Sequence, residues 1–252
     1  MSVSKIGSLE LPLPPLPEQL RIVARIEELF SRLDAGVAAL RHAKAQLQRY
    51  RQSVLAAAFS GQLIGKQTRL GSNADVPEGW HEAVFGDLIK NVSINEKKLP
   101  KKQYADEGKF PVVDQGQEFI GGYSDDESRV VSEDLPLLIF GDHTRIFKFL
   151  SHPFIPGADG VKVLKPKGVS EKWLFYIGQA LDFPDKGYAR HFSHVKTARI
   201  LVPPLAEQHK IVAEVEARTT AIDHLEAELD RQITRSNRLR QSALASAFSG
   251  KL

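Results

Sequence analysis

Leu13-Pro14-Pro15-Leu16-Pro17-Glu18-Gln19 opens a stretch that closes with Arg51-Gln52-Ser53-Val54-Leu55-Ala56-Ala57-Ala58-Phe59-Ser60-Gly61-Gln62-Leu63. Nearly the same wording returns as Val202-Pro203-Pro204-Leu205-Ala206-Glu207-Gln208 through Arg240-Gln241-Ser242-Ala243-Leu244-Ala245-Ser246-Ala247-Phe248-Ser249-Gly250-Lys251-Leu252. The offset is 189 positions at both ends (203 less 14, 250 less 61). Nothing is inserted or lost across a repeat in which about half the positions are identical. A repeat that keeps its length to the residue predicts a rigid element whose length matters.

Within the first copy, Ile26, Leu29, Leu33, Gly36, Leu40, Ala43, Leu47, Tyr50 and Val54 step by three and four, a heptad seam bordered by charged residues. Ser60-Gly61 supplies a helix stop. The second copy puts Val215, Ile222, Leu225, Leu229, Leu239 and Ala243 on the same seam, weakened by Arg218, Gln232 and Ser236. A helix of about 40 residues is about 60 Å long at 1.5 Å per residue, and its apolar stripe needs a partner. One helix enters the middle of the chain and the other leaves it, so pairing them predicts an antiparallel two-helix coiled coil. The alternative is two separate amphipathic helices on a globular core; the narrow seam favours the pair. Before them, residues 1–17 hold Pro12, Pro14, Pro15 and Pro17 and read as an extended lead-in.

The 252 residues include no cysteine, which excludes disulfides and thiolate metal sites and fits a reducing cytoplasm. No signal-peptide pattern follows Met1, and no apolar run reaches the roughly 18 residues of a membrane span. A net charge of +3 is compatible with a polyanionic partner. The middle segment alternates short β-prone runs with turns: Phe110–Val113, Glu118–Ile120 before Gly121-Gly122, Leu135–Phe140 before Gly141-Asp142, and Gly160–Leu164. Glu171–Ala180 is predicted helical. The fold class expected is α+β: a globular recognition domain on an antiparallel two-helix stalk.

Side chains suited to nucleic acid collect in this middle segment. His143, Thr144 and Arg145 follow a buried-looking strand, and Tyr188, Arg190, His191, Ser193, His194 and Lys196 alternate donors with aromatics. Lys97, Lys98, Lys101 and Lys102 form a basic loop fit for phosphates, and Gln115 and Gln117 flank Gly116 in a turn, where glutamine could read adenine. Plainer readings stand beside these. A lysine-rich loop is commonly just a solvated surface, His143 could be structural, and Arg145 could pair with Asp142. His191 and His194 have a spacing that could ligate zinc, but no acidic or cysteine ligand stands near. There is no P-loop, no Gly-x-Gly-x-x-Gly turn and no nucleophile elbow, so neither a cofactor nor catalysis is expected.

The Pro-Pro-Leu-x-Glu-Gln entry (Pro14 to Gln19, Pro203 to Gln208), the long helix and the closing Leu-Ala-x-Ala-Phe-Ser-Gly (Leu55 to Gly61, Leu244 to Gly250) resemble the spacer repeats of specificity (S) subunits of type I restriction-modification systems. Pro77-Glu78-Gly79-Trp80 and the run from Gly187 to Lys196 resemble the borders of one of their target recognition domains. The resemblance implies a non-catalytic DNA-recognition subunit. Its partners would be double-stranded DNA, methyltransferase (M) subunits docked on the spacers and, indirectly, the restriction (R) subunit. It also implies an organisation: 1–17 as the remnant of a missing first recognition domain, 18–61 the first spacer, 62–76 a linker, 77–202 the recognition domain and 203–252 the second spacer. Such a chain is a half-subunit, expected to form one head on a two-helix stalk and to read half of a bipartite site. A homodimer, or pairing with another half-subunit, would complete the site. The stalk of about 60 Å exceeds one DNA turn of about 34 Å, enough to set two half-sites apart. A regulatory or decoy half-subunit that binds M without productive DNA recognition is the second reading.

Overall fold

A computed structural model of the chain describes residues 13–66, 76–183 and 190–249. These divide between two compact units, one drawn from Met1–Arg51 and Thr219–Leu252, the other from Gln52–Arg218. The order is α1 (Leu16–Phe59), β1 (His81–Val84), β2 (Ile89–Val92), β3 (Phe110–Val113), β4 (Gly122–Ser124), β5 (Leu137–Gly141), β6 (Phe147–Leu150), β7 (Ile155–Pro156), β8 (Val161–Pro166), α2 (Glu171–Ala180), α3 (Phe192–Thr197), β9 (Arg199–Val202) and α4 (Leu205–Phe248). The fold class is mixed α and β, as expected.

In the first unit the long helices run antiparallel in a fixed register. Arg51 Nη2 meets Asp223 Oδ1 at 2.5 Å, Lys44 Nζ meets Asp230 Oδ1 at 2.7 Å, and Arg240 Nη2 meets Asp34 Oδ1 at 2.5 Å. From the first pair to the second, one number falls by seven as the other climbs by seven (51 to 44, 223 to 230). Ten more separate the third, so no slip occurs along the pair. The Arg51–Asp223 and Arg240–Asp34 pairs are also equivalents: the repeat offset carries Arg51 onto Arg240 and Asp34 onto Asp223. Arg240 lies over the Phe30 ring at 4.6 Å, an arrangement in which the ring face attracts the guanidinium.

A covered stripe runs along α1 through Ile26, Leu29, Leu33, Val37, Leu40, Ala43, Leu47 and Arg51, and the same positions shifted by the offset run along α4: Val215 and Ile222, both buried, with half-covered Arg218, Glu226, Leu229, Gln232, Ser236 and Arg240. This corrects the seam at four places. Gly36 and Tyr50 are exposed and Val37 and Arg51 take their turns, while Leu225 and Leu239 face solvent and Glu226 and Arg240 hold the stripe. Charged residues can occupy it because they find partners there, Arg51 Nη2 reaching Glu226 at 3.2 Å. α1 also begins two residues earlier than the prolines suggest. Pro17 sits in its first turn, where a missing N–H leaves no intrahelical bond unmade.

The second unit is built on a four-stranded sheet ordered β2-β8-β5-β6, all antiparallel, with a three-stranded sheet β4-β3-β7 and a two-stranded pair β1-β9. β5 is buried on both faces. Leu138 and Phe140 point into a core shared with Trp173, Leu174 and Ile177 of α2, Val54, Leu55 and Ala58 of α1 and Ile211, Val212 and Val215 of α4. Leu137 and Ile139 join Val113, Leu150, Phe154, Val161 and Val163 on the other side. The expected Glu118–Ile120 strand is a loop, whose Glu118 and Phe119 carbonyls turn to the Lys148 ammonium instead of to a neighbouring strand.

The repeated motif explains itself in this unit. Glu207 accepts the Trp80 indole N–H at 2.7 Å and binds Lys66 Nζ at 2.7 Å. Gln208, buried, accepts from the Ser170 amide at 2.7 Å at the start of α2 and donates to Pro203 O at 2.9 Å. In the first copy Gln19 makes the matching bond to Pro14 O at 2.7 Å. Pro204 packs on Gly79, whose φ of +81° and bare Cα admit it: a Cβ there would lie 3.1 Å from Pro204 Cγ.

Candidate nucleic-acid interface

The turn Asp142–Ile146 between β5 and β6, the loop before β8 and the start of α3 are fastened to one another at Asp142. This residue is 3% exposed. Its Oδ1 accepts the backbone N–H of His191 at 2.9 Å and of Phe192 at 2.8 Å, which caps α3. Its own N–H donates to Gly160 O at 2.7 Å, and Lys162 Nζ stands 3.8 Å from its Oδ2. A buried carboxylate needs such partners, since desolvation is otherwise costly. Arg145 is not among them. It sits exposed at the tip of the turn with φ of +64°, a left-handed conformation uncommon for a side-chain-bearing residue.

Gln115 ties in a fourth segment. Its Oε1 accepts the His143 amide N–H at 3.2 Å, and glycine at 141 and at 160 leaves room for its side chain. Gln115 thus bridges loops instead of pointing outward, whereas Gln117 is exposed on the loop beyond it. Thr144 is half-buried beside Gly141.

Next to Asp142 lies a recess of about 210 Å³ lined by Asn91, Ser93, Asn95, Lys98, Lys162 and Phe192. Lys162 and Lys196 both stand over the Phe192 ring, at 5.7 and 5.8 Å. Two ammonium groups over this ring, with the Lys98 ammonium, two amides and a hydroxyl lining the recess, form a surface suited to phosphate oxygens and base edges. Of these residues only Lys98 and Lys196 stood out in the sequence. Asn91, Ser93 and Asn95 were signalled by strict alternation with Val92 and Ile94, polar out and apolar in. Lys162 carried no signal beyond its position in β8.

The remaining expected residues scatter. Lys97 donates to Val130 O at 2.7 Å and so secures its own loop. Lys98 also gives its carbonyl to Arg129 Nη1 at 2.5 Å. Lys101 and Lys102 are exposed on a short 3₁₀ turn. His191 is 1% exposed, its ring edge-on to Phe183 at 5.9 Å, so it packs the core. His194 Nε2 lies 3.0 Å from Asp182 O. Arg190, Ser193 and Lys196 are exposed; Tyr188 lies outside the described residues. Among the described residues no group of three His, Cys, Asp or Glu side chains is placed to hold a metal ion, and no helix is long and apolar enough to cross a membrane.

No family model matches the chain. It is 27% identical over 271 residues to the StySPI type I restriction enzyme specificity subunit of Salmonella potsdam, covering 97% of this chain and 58% of that protein. The EcoBI specificity subunit of Escherichia coli is 27% identical over 291 residues, with 96% and 58% covered. Among solved structures, a chain from a study of complex assembly and conformational transition in a type I R-M system superposes with a TM-score of 0.75 at 22% identity, over all of this chain and 64% of that one. The HsdS subunit of Thermoanaerobacter tengcongensis gives 0.53 at 22% identity, with 96% and 61% covered. The chain is homologous to type I restriction enzyme specificity subunits and spans 58% of the length of these curated relatives.

Proposed function

We propose that this homologue of type I specificity subunits is a non-catalytic, sequence-specific DNA-binding half-subunit. It reads one half of a bipartite duplex site through the unit drawn from 52–218, and methyltransferase subunits dock on its paired helices. The observation that carries the reading is the fastening of the 142–146 turn, the 157–160 loop and the start of α3 onto buried Asp142, beside a recess lined by Lys98 and Lys162, with Lys196 over the Phe192 ring that also lines it. Reading loops must be held in place before they meet DNA, because each ordered residue otherwise costs about 1–2 kcal/mol of backbone entropy on binding. Homology to specificity subunits supports the partner, and the absence of a cofactor motif in the sequence leaves methyl transfer and cleavage to other subunits. A second copy, or another half-subunit, would supply the other half-site.

The test is selection from a random pool of 40-bp duplexes by the full chain, with and without type I methyltransferase subunits, followed by binding of the enriched duplex at several salt concentrations. A defined enriched motif, with log affinity falling linearly in log salt, is expected. Capture of methyltransferase subunits with no enriched motif would make the chain a decoy instead.

A further inference from the structure

The loop between β3 and β4 carries the only adjacent pair of large exposed apolar side chains among the described residues of the 52–218 unit: Phe119, 52% exposed, and Ile120, 38% exposed. Leaving such side chains in water forgoes the gain of burying them, yet the loop beneath them is fixed in unusual detail. Lys148 projects from β6 and is 4% exposed. Its ammonium donates to Asp114 O at 2.8 Å and Glu118 O at 2.6 Å, with Phe119 O at 3.5 Å. Burial lowers its pKa, opposed by the charges of Asp114 and Glu118. A buried ammonium is expensive, and here everything it offers goes to the shape of one loop.

The loop is constrained from its other side as well. Asp114 Oδ1 accepts the Gly116 N–H at 2.8 Å, and a Cβ at Gly116 or Gly121 would come within 2.9 Å of the same carboxylate. Tyr104 also hydrogen-bonds Asp114. Burial, then the charges of Asp114 and Asp159, push its hydroxyl up to about 12, so it stays a donor. The Gly121 N–H closes the loop on Val112 O at 2.8 Å. Through Gln115 Oε1 and the His143 N–H, the loop is joined to the turn that displays Arg145.

Resting on the DNA-binding reading, we propose that Phe119, with Ile120 beside it, is a rigid apolar wedge that enters duplex DNA and unstacks a base step, and that Lys148 is the residue that positions it. Two side chains are the scale on which wedges part base steps. A stable protein interface buries about 800 Å² on each partner, far beyond what this tip offers. Gln117, in the same loop, and Arg145, on the turn joined to that loop through Gln115 and His143, are hydrogen-bonding groups of the kind that meet base edges and phosphates.

The full chain is tested on the duplex it enriches from the random 40-bp pool, with 2-aminopurine substituted at successive positions. Wild type is expected to raise the fluorescence at one step. Phe119→Ala is expected to abolish that rise and weaken binding about tenfold, while Phe119→Trp retains both. Since Phe119 is exposed, the alanine variant keeps its fold. Lys148→Met is expected to reduce the fluorescence rise at saturating DNA with the thermal transition still cooperative. Unchanged affinity and fluorescence in Phe119→Ala overturn the wedge alone. Loss of methyltransferase capture with DNA binding intact overturns it in favour of a protein contact. A wild-type chain that enriches no duplex overturns the DNA-binding reading as well.

Discussion

The Trp80 indole N–H donates to Glu207 at 2.7 Å, and the same carboxylate binds Lys66 at 2.7 Å. One acidic residue of the repeated motif therefore holds both the Pro77–Trp80 turn before β1 and the segment that follows α1. The hydrogen bond from Lys66, opposed by desolvation and reinforced by Trp80, holds the Glu207 carboxyl below its ordinary value of 4.5. A depressed carboxylate contributes stability that is fully present above its unfolded value and is lost as the pH falls through its folded one. Calorimetric melting at a series of pH values should therefore show wild type losing stability below about pH 4.5, the ordinary carboxylate range. Glu207→Gln should melt lower at neutral pH and fall less on acidification. Parallel curves for the two proteins would show that this carboxylate does not carry the effect.

Two glycines of the first repeat copy should respond to alanine in opposite directions. Gly61 has φ of +73°, and a Cβ there would lie 2.9 Å from the Trp80 ring; Gly61→Ala should cost about 1–3 kcal/mol. Gly36 lies within α1 with nothing within 4 Å of an added Cβ, so Gly36→Ala should stabilise by about 1 kcal/mol. Denaturant titration of both variants checks the pair of signs.

Arg145 combines an exposed guanidinium with a left-handed backbone. Arg145→Gly relieves that strain and is expected to raise stability by about 1 kcal/mol while weakening binding to the enriched duplex. Arg145→Lys should keep the strain and part of the affinity, since a lysine cannot donate the two parallel bonds an arginine makes to guanine. Equal duplex binding by all three proteins would remove Arg145 from the interface.

The equivalent ion pairs of the two helices invite a direct comparison. Double-mutant cycles on Arg51–Asp223 and on Arg240–Asp34 should each give a coupling below about 1 kcal/mol, as solvated pairs do. Arg240→Ala alone should in addition lose its contact with Phe30, a loss the cycle cancels and that Phe30→Leu reproduces. A coupling absent from one pair and present in the other would contradict their equivalence.

The helices were legible because a gapless repeat with a heptad seam constrains both element and length. Periodicity misplaces the seam where apolar residues stand next to the covered position, as Gly36, Tyr50, Leu225 and Leu239 do. Periodicity alone does not tell Leu225 from Glu226 when the charge finds Arg51 across the pair. The turn after β5 was legible too, but not what holds it. Asp142 takes backbone N–H groups 49 and 50 residues away, a separation no local pattern reports. Lys148 illustrates the same limit. A lysine between Phe147 and Phe149 reads as the solvent face of a strand, and only the fold brings carbonyls from residues 114 and 118 over it.

The exchange of Arg51–Asp223 for Arg240–Asp34 under the repeat offset means that the paired helices have no polarity at these two contacts. Turned end for end, they present the same cation and anion at these positions, because two copies of one repeat lie antiparallel. A ligand that recognises this part of the rod cannot tell its two ends apart from these contacts. Any left and right in an assembly built along it must come from where the copies diverge: at Lys44 facing Asp230, where the offset puts Ile233 and Arg41, at Phe30 under Arg240, whose counterpart is Thr219, and at Glu226 beside Arg51, whose counterpart is Val37.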